Sequence, residues 1–280
     1  MQVRSALNTS LCVLVAALTL NTAPAAVGQM EPGQVHSPHK YLYLNNVSLK
    51  PGLSGAFIQH ESAEVEALRA ANAPVNYFGM MDITGAPRAV YFAGFDSFAD
   101  LQKDHEQMMA NSKLEDTLKT EDAAEASSVA EGLSSIYEYR EDLSLRAPVD
   151  ISAMRFFDIT VFHIRSGHHQ DWERLVKLYV KAYTPAADAH WAVFEKMYGE
   201  GSDNTFIVVT PLASLAGVDE EVLDGDNLPK SVGEDQMQTM RELGSVTIES
   251  SESDLFAMVP QISYVPDSWV KGSPDFWGKK

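Results

Sequence analysis

The chain has 280 residues and is strongly acidic: 39 Asp and Glu stand against 21 Lys and Arg, which gives a formal net charge of −18 at pH 7. This charge disfavours nucleic acids and anionic membrane surfaces as partners. The hydrophobic fraction of 45% is enough to bury one substantial core or two smaller ones, so an intrinsically disordered chain is excluded.

The first 25 residues have the composition of a secretory signal peptide. Arg4 precedes an apolar run from Leu11 to Leu20, and Ala23-Pro24-Ala25 follows as a small-residue cleavage site. The run is shorter than the ~20 residues that span a membrane, although an uncleaved anchor is the alternative. We therefore expect a periplasmic or secreted protein with no membrane attachment after cleavage. Cleavage would also remove Cys12, the only cysteine, so neither disulfides nor thiolate sites are expected.

A first folded unit is predicted over residues 40–145, after a flexible, polar lead-in over 26–39. Alternation of apolar residues, helical spacing and turn residues predict its elements. They are a strand over 41–49, a helix over 54–71, a hairpin over 77–83 and 88–95, a charged helical region over 97–133 and a strand over 136–140.

A second unit with the same order of elements is predicted over residues 153–265. Its elements are a strand over 154–165, a helix from 171 that Pro185 ends, a hairpin over 191–198 and 205–212, helical stretches over 214–221 and 234–243 with a break at 225–229, and a strand over 255–264. The tail over 266–280 contains Trp269 and Trp277 and either packs against the body or stays loose.

The two predicted units are in register. Gly52 and Gly167 are 115 positions apart, and Tyr77 and Trp191 are 114 positions apart. Near-constant offsets across a matching order of elements indicate the duplication of one unit. The predicted fold class is therefore α+β, with two tandem ferredoxin-like (β-α-β-β-α-β) units.

Three features resemble a known superfamily: the glycine-led helix start Gly167-His-His-Gln-Asp-Trp172, the aromatic-led hairpins and the pattern Phe98-x-x-Leu101-x-x-x-His105. They are similar to the dimeric α/β barrel superfamily and, more narrowly, to antibiotic-biosynthesis-monooxygenase-like and NIPSNAP-like domains. The resemblance implies a barrel of two four-stranded sheets, helices outside and a cavity between the sheets. It also implies a choice among metal-free oxygenases, haem-degrading or haem-binding proteins and stress proteins, because the fold does not select the function.

Candidate catalytic residues are His190 and His105. His190 precedes a strand next to Trp191, where an imidazole beside an indole can orient an aromatic substrate and move a proton. The alternative is a histidine bonded to the backbone at a strand end. His105 lies near the place where the resemblance implies a helix histidine, and the alternative is a solvated helix face. The candidate ligand-binding residues are Trp191, Tyr198, Asn45 and Tyr179.

No metal site is predicted, because His168 and His169 point in different directions on a helix and lack metal-ligand spacing. The acidic runs over 115–125 and 219–226 are interpreted as solvated faces. No G-x-S-x-G, P-loop or G-x-G-x-x-G motif is present in the sequence. No cofactor is expected, with haem as the possibility that the resemblance leaves open.

Two functions follow from these observations. The main hypothesis is an exported protein that binds a small apolar or aromatic molecule, as a monomer or homodimer, because spacing forces no acid and base together. The alternative is a cofactor-independent or haem-linked monooxygenase-type enzyme. Convergence of the candidate residues on one site would favour the enzyme.

Overall fold

A computed structural model describes Gly33, residues 35–201 and residues 203–278. The signal-peptide prediction lies outside these residues. In the described part, the strands are β1 (Tyr41–Leu49), β2 (Phe78–Asp82), β3 (Arg88–Phe95), β4 (Val129–Tyr139), β5 (Phe156–Ile164), β6 (Ala192–Gly199), β7 (Thr205–Leu212) and β8 (Ile248–Met258). The helices are α1 (Ser54–Ala71), α2 (Phe98–Met109), α3 (Ser112–Glu125), α4 (His169–Tyr183), α5 (Ala216–Val232), α6 (Glu234–Thr247), α7 (Asp267–Gly272) and α8 (Pro274–Trp277).

The hydrogen-bonded strand order is β1-β3-β2-β8-β5-β7-β6-β4, and the order closes into a barrel. The predicted α+β class and barrel are confirmed. The strands form one closed sheet rather than two separate ferredoxin-like sheets, because closure pairs strand edges that would otherwise stay exposed.

Two compact units make up the described chain. Unit 1 comprises residues 43–134 and 259–278, and unit 2 comprises Gly33, residues 35–42 and residues 135–258. The backbone amide of Gly33 donates to Asp150 at 2.8 Å, and that of His36 donates to the Val149 carbonyl at 3.3 Å. None of the helices in the described part combines the length and the apolar character that a membrane span requires.

The core of unit 1 forms where α1 and α3 pack on the sheet. Phe57 and Leu68 from α1 and Leu114 from α3 are buried together with Val47 of β1. The Asn111 side chain accepts a hydrogen bond from the Leu114 amide at 3.2 Å and so begins α3. The predicted helical region over 97–133 is therefore two helices, followed by a β4 that starts earlier than expected.

The tail of unit 1 is packed. Trp269 in α7 and Trp277 in α8 are both buried, with ring centroids 5.3 Å apart. Ser263, just before these helices, accepts a hydrogen bond from the Gly79 amide at 2.9 Å. The tail over 266–280 was expected either to pack against the body or to stay loose. Its described residues pack against the body.

The core of unit 2 is built from α4 and α6 against β5, β6 and β7. The Trp172 ring lies 4.8 Å from the Phe162 ring and 5.3 Å from the Phe206 ring. Leu175 and Met240 are buried beside them. The sequence predicted α4 well because its apolar residues recur at helical spacing.

Two element boundaries in unit 2 differ from the prediction. Helix α5 continues through Gly225 and Pro229, the predicted break. Pro229 cannot bond to the carbonyl four residues earlier, but that position is Gly225, where the backbone is least restricted, and Leu228 anchors the turn by burial. Strand β8 starts at Ile248 and ends at Met258, because its polar first half, which lacks apolar alternation, pairs along β5.

Arg140, directly after β4, holds three carboxylates of unit 2. Its guanidinium donates to Glu195 of β6 and to Glu173 of α4, both at 2.5 Å, and to Asp142 at 3.0 Å. The hydrogen bond from Arg140 lowers the pKa of Glu173. Hydrogen bonds from Arg140 and Lys177 also lower the pKa of Asp142, against the opposing effect of partial burial.

We expect Arg140→Ala to reduce the free energy of unfolding by about 1–2 kcal/mol at pH 7, since Glu173 and Glu195 lose their guanidinium partner and Asp142 keeps only Lys177 in a partly solvated network. The carboxylates have lowered folded-state pKa values, so this stabilisation is present above about pH 4 and is lost as the pH falls through their folded values. Urea unfolding at pH 7 measures the loss of stability, and a second measurement at pH 3 shows whether that loss depends on pH.

The matched control is Arg241→Ala, which removes an exposed ion pair with Glu234 on α6. It should change the free energy of unfolding by less than about 0.5 kcal/mol. Equal losses in both variants at pH 7, or a loss in Arg140→Ala that is unchanged at pH 3, would contradict the role of the network.

Candidate functional site

His190 lies in unit 2, in the segment that leads into β6. Its Nδ1 lies 2.8 Å from the Asp188 carbonyl oxygen, and its Nε2 lies 2.8 Å from the Pro211 carbonyl oxygen. A carbonyl oxygen only accepts, so a ring nitrogen that carries a proton donates to it. The two carbonyls therefore fix the position of the imidazole ring.

Trp191 follows His190 in the chain and is part of a cluster of three aromatic rings. The Trp191 ring is fixed by a hydrogen bond from Nε1 to the Leu143 carbonyl at 3.1 Å. The Tyr183 ring meets it edge to face at 5.7 Å, and Tyr179, one turn earlier on α4, stacks on Tyr183 at 6.5 Å. The three rings thus form one contiguous cluster that packs against the core of unit 2, and Trp191 and Tyr179 were named from the sequence.

Glu221 of α5 is the acidic partner of His190. Its side chain is half-buried. Burial and, to a lesser extent, the charge of Asp158 on β5 raise the pKa of Glu221 to about 7, although His190 and a hydrogen bond to Thr210 of β7 oppose the rise. Asp158 and Thr210 are direct cross-strand neighbours. Glu221, His190, Thr210, Asp158, Trp191 and Tyr183 are called the Glu221 site below.

The Glu221 site can accept a proton near neutral pH. A carboxyl group with a pKa of about 7 is half in each form at physiological pH, which is the condition for an effective general base. The pKa of Asp158 is also raised, by burial and then by the charge of Asp254. The nearby rings supply an apolar surface on which an aromatic molecule can stack.

Sequence reasoning found His190, Trp191 and Tyr179 but missed their acidic partners. Glu221 belongs to the run over 219–226 that was interpreted as a solvated face, and it is half-buried instead. Asp158 gave a usable signal, because it is an acidic residue within the apolar stretch Phe156–Ile159. The second acidic run is also corrected: Glu125 is only 1% exposed.

The other predicted residues lie elsewhere. Tyr198 is 60% exposed near the far end of β6. Asn45, on β1 in unit 1, is 6% exposed and accepts a hydrogen bond from the Ser134 hydroxyl at 3.3 Å. His105 is half-buried on α2 of unit 1. Their predicted roles stay predictions.

The two predicted histidines do not fit haem. His190 already uses both ring nitrogens on backbone carbonyls. His105 lies on a helix of which none of the twelve described residues is buried. An axial haem ligand needs an open ring nitrogen in an enclosed pocket, and neither histidine provides one.

No protein-family model and no curated protein matches the sequence. Among solved structures, a candidate monooxygenase from Fusobacterium nucleatum matches with 7% identity over 78% of this chain and 91% of its own, at a TM-score of 0.51. An anthrone oxidase-like protein matches with 12% identity over 79% of this chain and 92% of its own, also at 0.51. Both belong to the dimeric α/β barrel superfamily. The chain shares that fold.

A candidate chlorite dismutase also matches, with 12% identity over 79% of this chain and 96% of its own. Its TM-score of 0.46 is too low to support an inference about this chain. At these identities the comparisons establish the fold alone, and the chemistry has to be argued from the Glu221 site.

We expect the Glu221 carboxyl group to titrate near pH 7, and His190→Ala to raise its pKa further, because the substitution removes the opposing positive charge. NMR titration of the side-chain carboxyl carbons measures both. The raised folded-state pKa also means that Glu221 costs stability as the pH rises above its unfolded value of about 4.3, so Glu221→Gln should be more stable than the parent at pH 8.

The neighbouring Glu220 is exposed and serves as the internal reference. Its substitution by Gln should leave the pH dependence of stability unchanged. Titration of Glu221 in the ordinary range for glutamate would remove the basis for the site.

Proposed function

We propose that this protein is an exported, cofactor-independent oxygenase-type enzyme that removes a proton from a small aromatic carbon acid and lets the resulting anion react with dioxygen. The observation that carries the proposal is the half-buried Glu221, whose pKa is raised to about 7 and which interacts electrostatically with His190 and Tyr183. In this proposal the enzyme replaces the binding protein that was the main hypothesis from the sequence.

The chemistry divides among three groups. The Glu221 carboxylate takes a proton from an activated methylene group of the substrate. His190, whose ring is fixed by the Asp188 and Pro211 carbonyls, stabilises the anion electrostatically. Trp191 and Tyr183 hold the substrate ring by stacking.

Dioxygen is the oxidant. The carbanion transfers one electron to it, the radical pair combines to form a C–O bond, and the peroxide loses water to leave a carbonyl group. The overall change converts one methylene group and one molecule of dioxygen into one carbonyl group and one molecule of water, so atoms and electrons balance without a reductant. The names of the two neighbours at a TM-score of 0.51, a candidate monooxygenase and an anthrone oxidase-like protein, agree with this class.

The proposal extends to the origin of the chain. We propose that it is a duplicated ferredoxin-like unit within the monooxygenase-like group. The orders β4-β1-β3-β2 and β8-β5-β7-β6 repeat the same arrangement of first, second, third and last strands, which supports duplication. The near-constant sequence offset of about 115 residues also supports duplication.

The test is oxygen uptake by the purified mature protein with a hydroxyanthrone as the probe. We expect turnover that persists in EDTA and rises with pH through about 7, as Glu221 loses its proton. Glu221→Gln should lower kcat/KM by at least about 100-fold, because it removes the base. Trp191→Ala should mainly raise KM, because it removes the stacking surface.

Glu220→Gln, one position away and exposed, is the matched control and should retain full activity. Saturable binding of the hydroxyanthrone without oxygen uptake would return the protein to the binding class. Uptake that is equal in the parent and in Glu221→Gln would show that another group is the base.

A further inference from the structure

Unit 1 contains a buried cluster of carboxyl groups that the proposed reaction does not use. Glu61 and Glu64 on α1 and Glu125 on α3 bring carboxylate oxygens within 4.8 Å of one another. Glu64 is 5% exposed and Glu125 is 1% exposed. Glu61 is half-buried as a residue, but its carboxyl group is enclosed. A fourth carboxyl group, that of Asp122, is hydrogen-bonded to Glu64.

The carboxyl groups face one another rather than a basic side chain. Besides burial, the strongest influences on the pKa values of Glu64 and Glu125 are neighbouring carboxyl groups. No Lys or Arg side chain is among the groups that act on Glu64 or Glu125. The negative charges of Glu64 and Glu125 therefore have no basic partner in the described part of the chain.

An independent observation points to a ligand. The Tyr91 side chain on β3 is 3% exposed, and its hydroxyl lies next to the Glu61 carboxyl group without a hydrogen bond of normal geometry to any described residue. Glu61 and Glu125 are the carboxyl groups that raise the pKa of Tyr91 after burial, so the hydroxyl belongs to the cluster. One oxygen each of Glu64 and Glu125 is also buried without a partner in the described part. Buried polar atoms normally have partners, so these three call for a missing one.

The fold does not require acidic residues at this place. Helices α3 and α6 have the same length, and Thr247 ends α6 as Glu125 ends α3. At the duplication offset of 115, Glu61 and Glu64 correspond to Val176 and Tyr179 of α4. Unit 2 thus packs the equivalent helix pair with neutral residues, whereas unit 1 buries carboxyl groups whose desolvation is costly.

We propose that Glu61, Glu64 and Glu125 bind a hard divalent cation of the Ca²⁺ class, with Asp122 and the Tyr91 hydroxyl beside the ion. Oxygen ligands alone select hard cations. Two oxygens on opposite sides of Ca²⁺ lie about 4.6–5.2 Å apart, so three oxygens within 4.8 Å can share one ion. The ion would satisfy the buried oxygens.

Thermal unfolding of the mature protein after EDTA treatment, with and without Ca²⁺ or Mn²⁺, tests the site. At pH 7.5 and a cation concentration about 100 times Kd, we expect Tm to rise by about 5–10 °C. The gain should be smaller at pH 5, where protons compete for the carboxylates. The groups around the site that titrate or carry charge are Glu61, Glu64, Asp122, Glu125, Tyr91, Tyr77 and the His60–Glu121 pair.

Glu64→Gln and Glu125→Gln should abolish the cation response while keeping the fold, because Gln is neutral and nearly isosteric. Tyr91→Phe keeps the ring and should weaken calorimetric Ca²⁺ affinity by about fivefold, the effect of one lost polar contact. Asp116→Asn, an exposed change on α3, is the matched control and should respond as the parent does.

Two results would overturn the proposal. In one, neither cation shifts the parent, and Tm falls from pH 5 to pH 8 in the parent but not in the Gln variants, which identifies a cluster neutralised by protons. In the other, the cation response is the same in the parent and in the Gln variants, which places the ion elsewhere. Oxygen uptake enters neither readout, so failure of the Glu221 reaction is separable from failure of this site.

Discussion

A carboxylate is stable in the interior of a protein only when its charge is neutralised. Three groups of carboxyl side chains in this acidic chain meet that constraint in three ways. Arg140 neutralises Glu173 and Glu195 by direct ion pairs. His190 only partly offsets the burial of Glu221. Glu64 and Glu125 have other carboxyl groups as their main electrostatic neighbours. The Glu173 side chain is 26% exposed, whereas Glu64 and Glu125 are 5% and 1% exposed, so burial and the partner together decide the protonation state.

The Arg140 network changes stability with pH in one direction, and the carboxyl groups with raised pKa values change it in the other. The Arg140 network has lowered folded-state pKa values and stabilises the protein above about pH 4. Glu221, Glu64 and Glu125 have raised values, so each costs stability as the pH rises above the unfolded value. The pH profile of the whole protein is thus a balance between unit 2, which contains Arg140, and the carboxyl cluster of unit 1.

The sequence predicted most of the elements because their periodicity is strong. Helix α1 matches its predicted range, and β1 and β7 match theirs, because apolar residues alternate or recur at a fixed spacing. Strands β4 and β8 begin earlier than predicted, since their first halves are polar and are held by pairing with another strand. That pairing is a long-range contact and leaves no local pattern in the sequence.

The candidate site was predictable in part. His190 next to Trp191 could be recognised because an imidazole and an indole stood together at a strand start. Glu221 could not, because its contact with His190 depends on how α5 packs across the sheet, about thirty residues along the chain. The acidic runs shared one composition, and only the fold distinguishes the buried Glu125 and half-buried Glu221 from their solvated neighbours.

Glu173 and Glu221 show why the partner geometry matters for catalysis. Both belong to unit 2 and both have a cationic group nearby. Glu173 accepts a direct hydrogen bond from Arg140 at 2.5 Å, and its pKa is lowered, so at neutral pH it stays ionised and is a weak base. Glu221 has no such direct partner: burial and the charge of Asp158 raise its pKa, and His190 opposes the rise only in part. Glu221 therefore has a pKa of about 7 and can both take and return a proton.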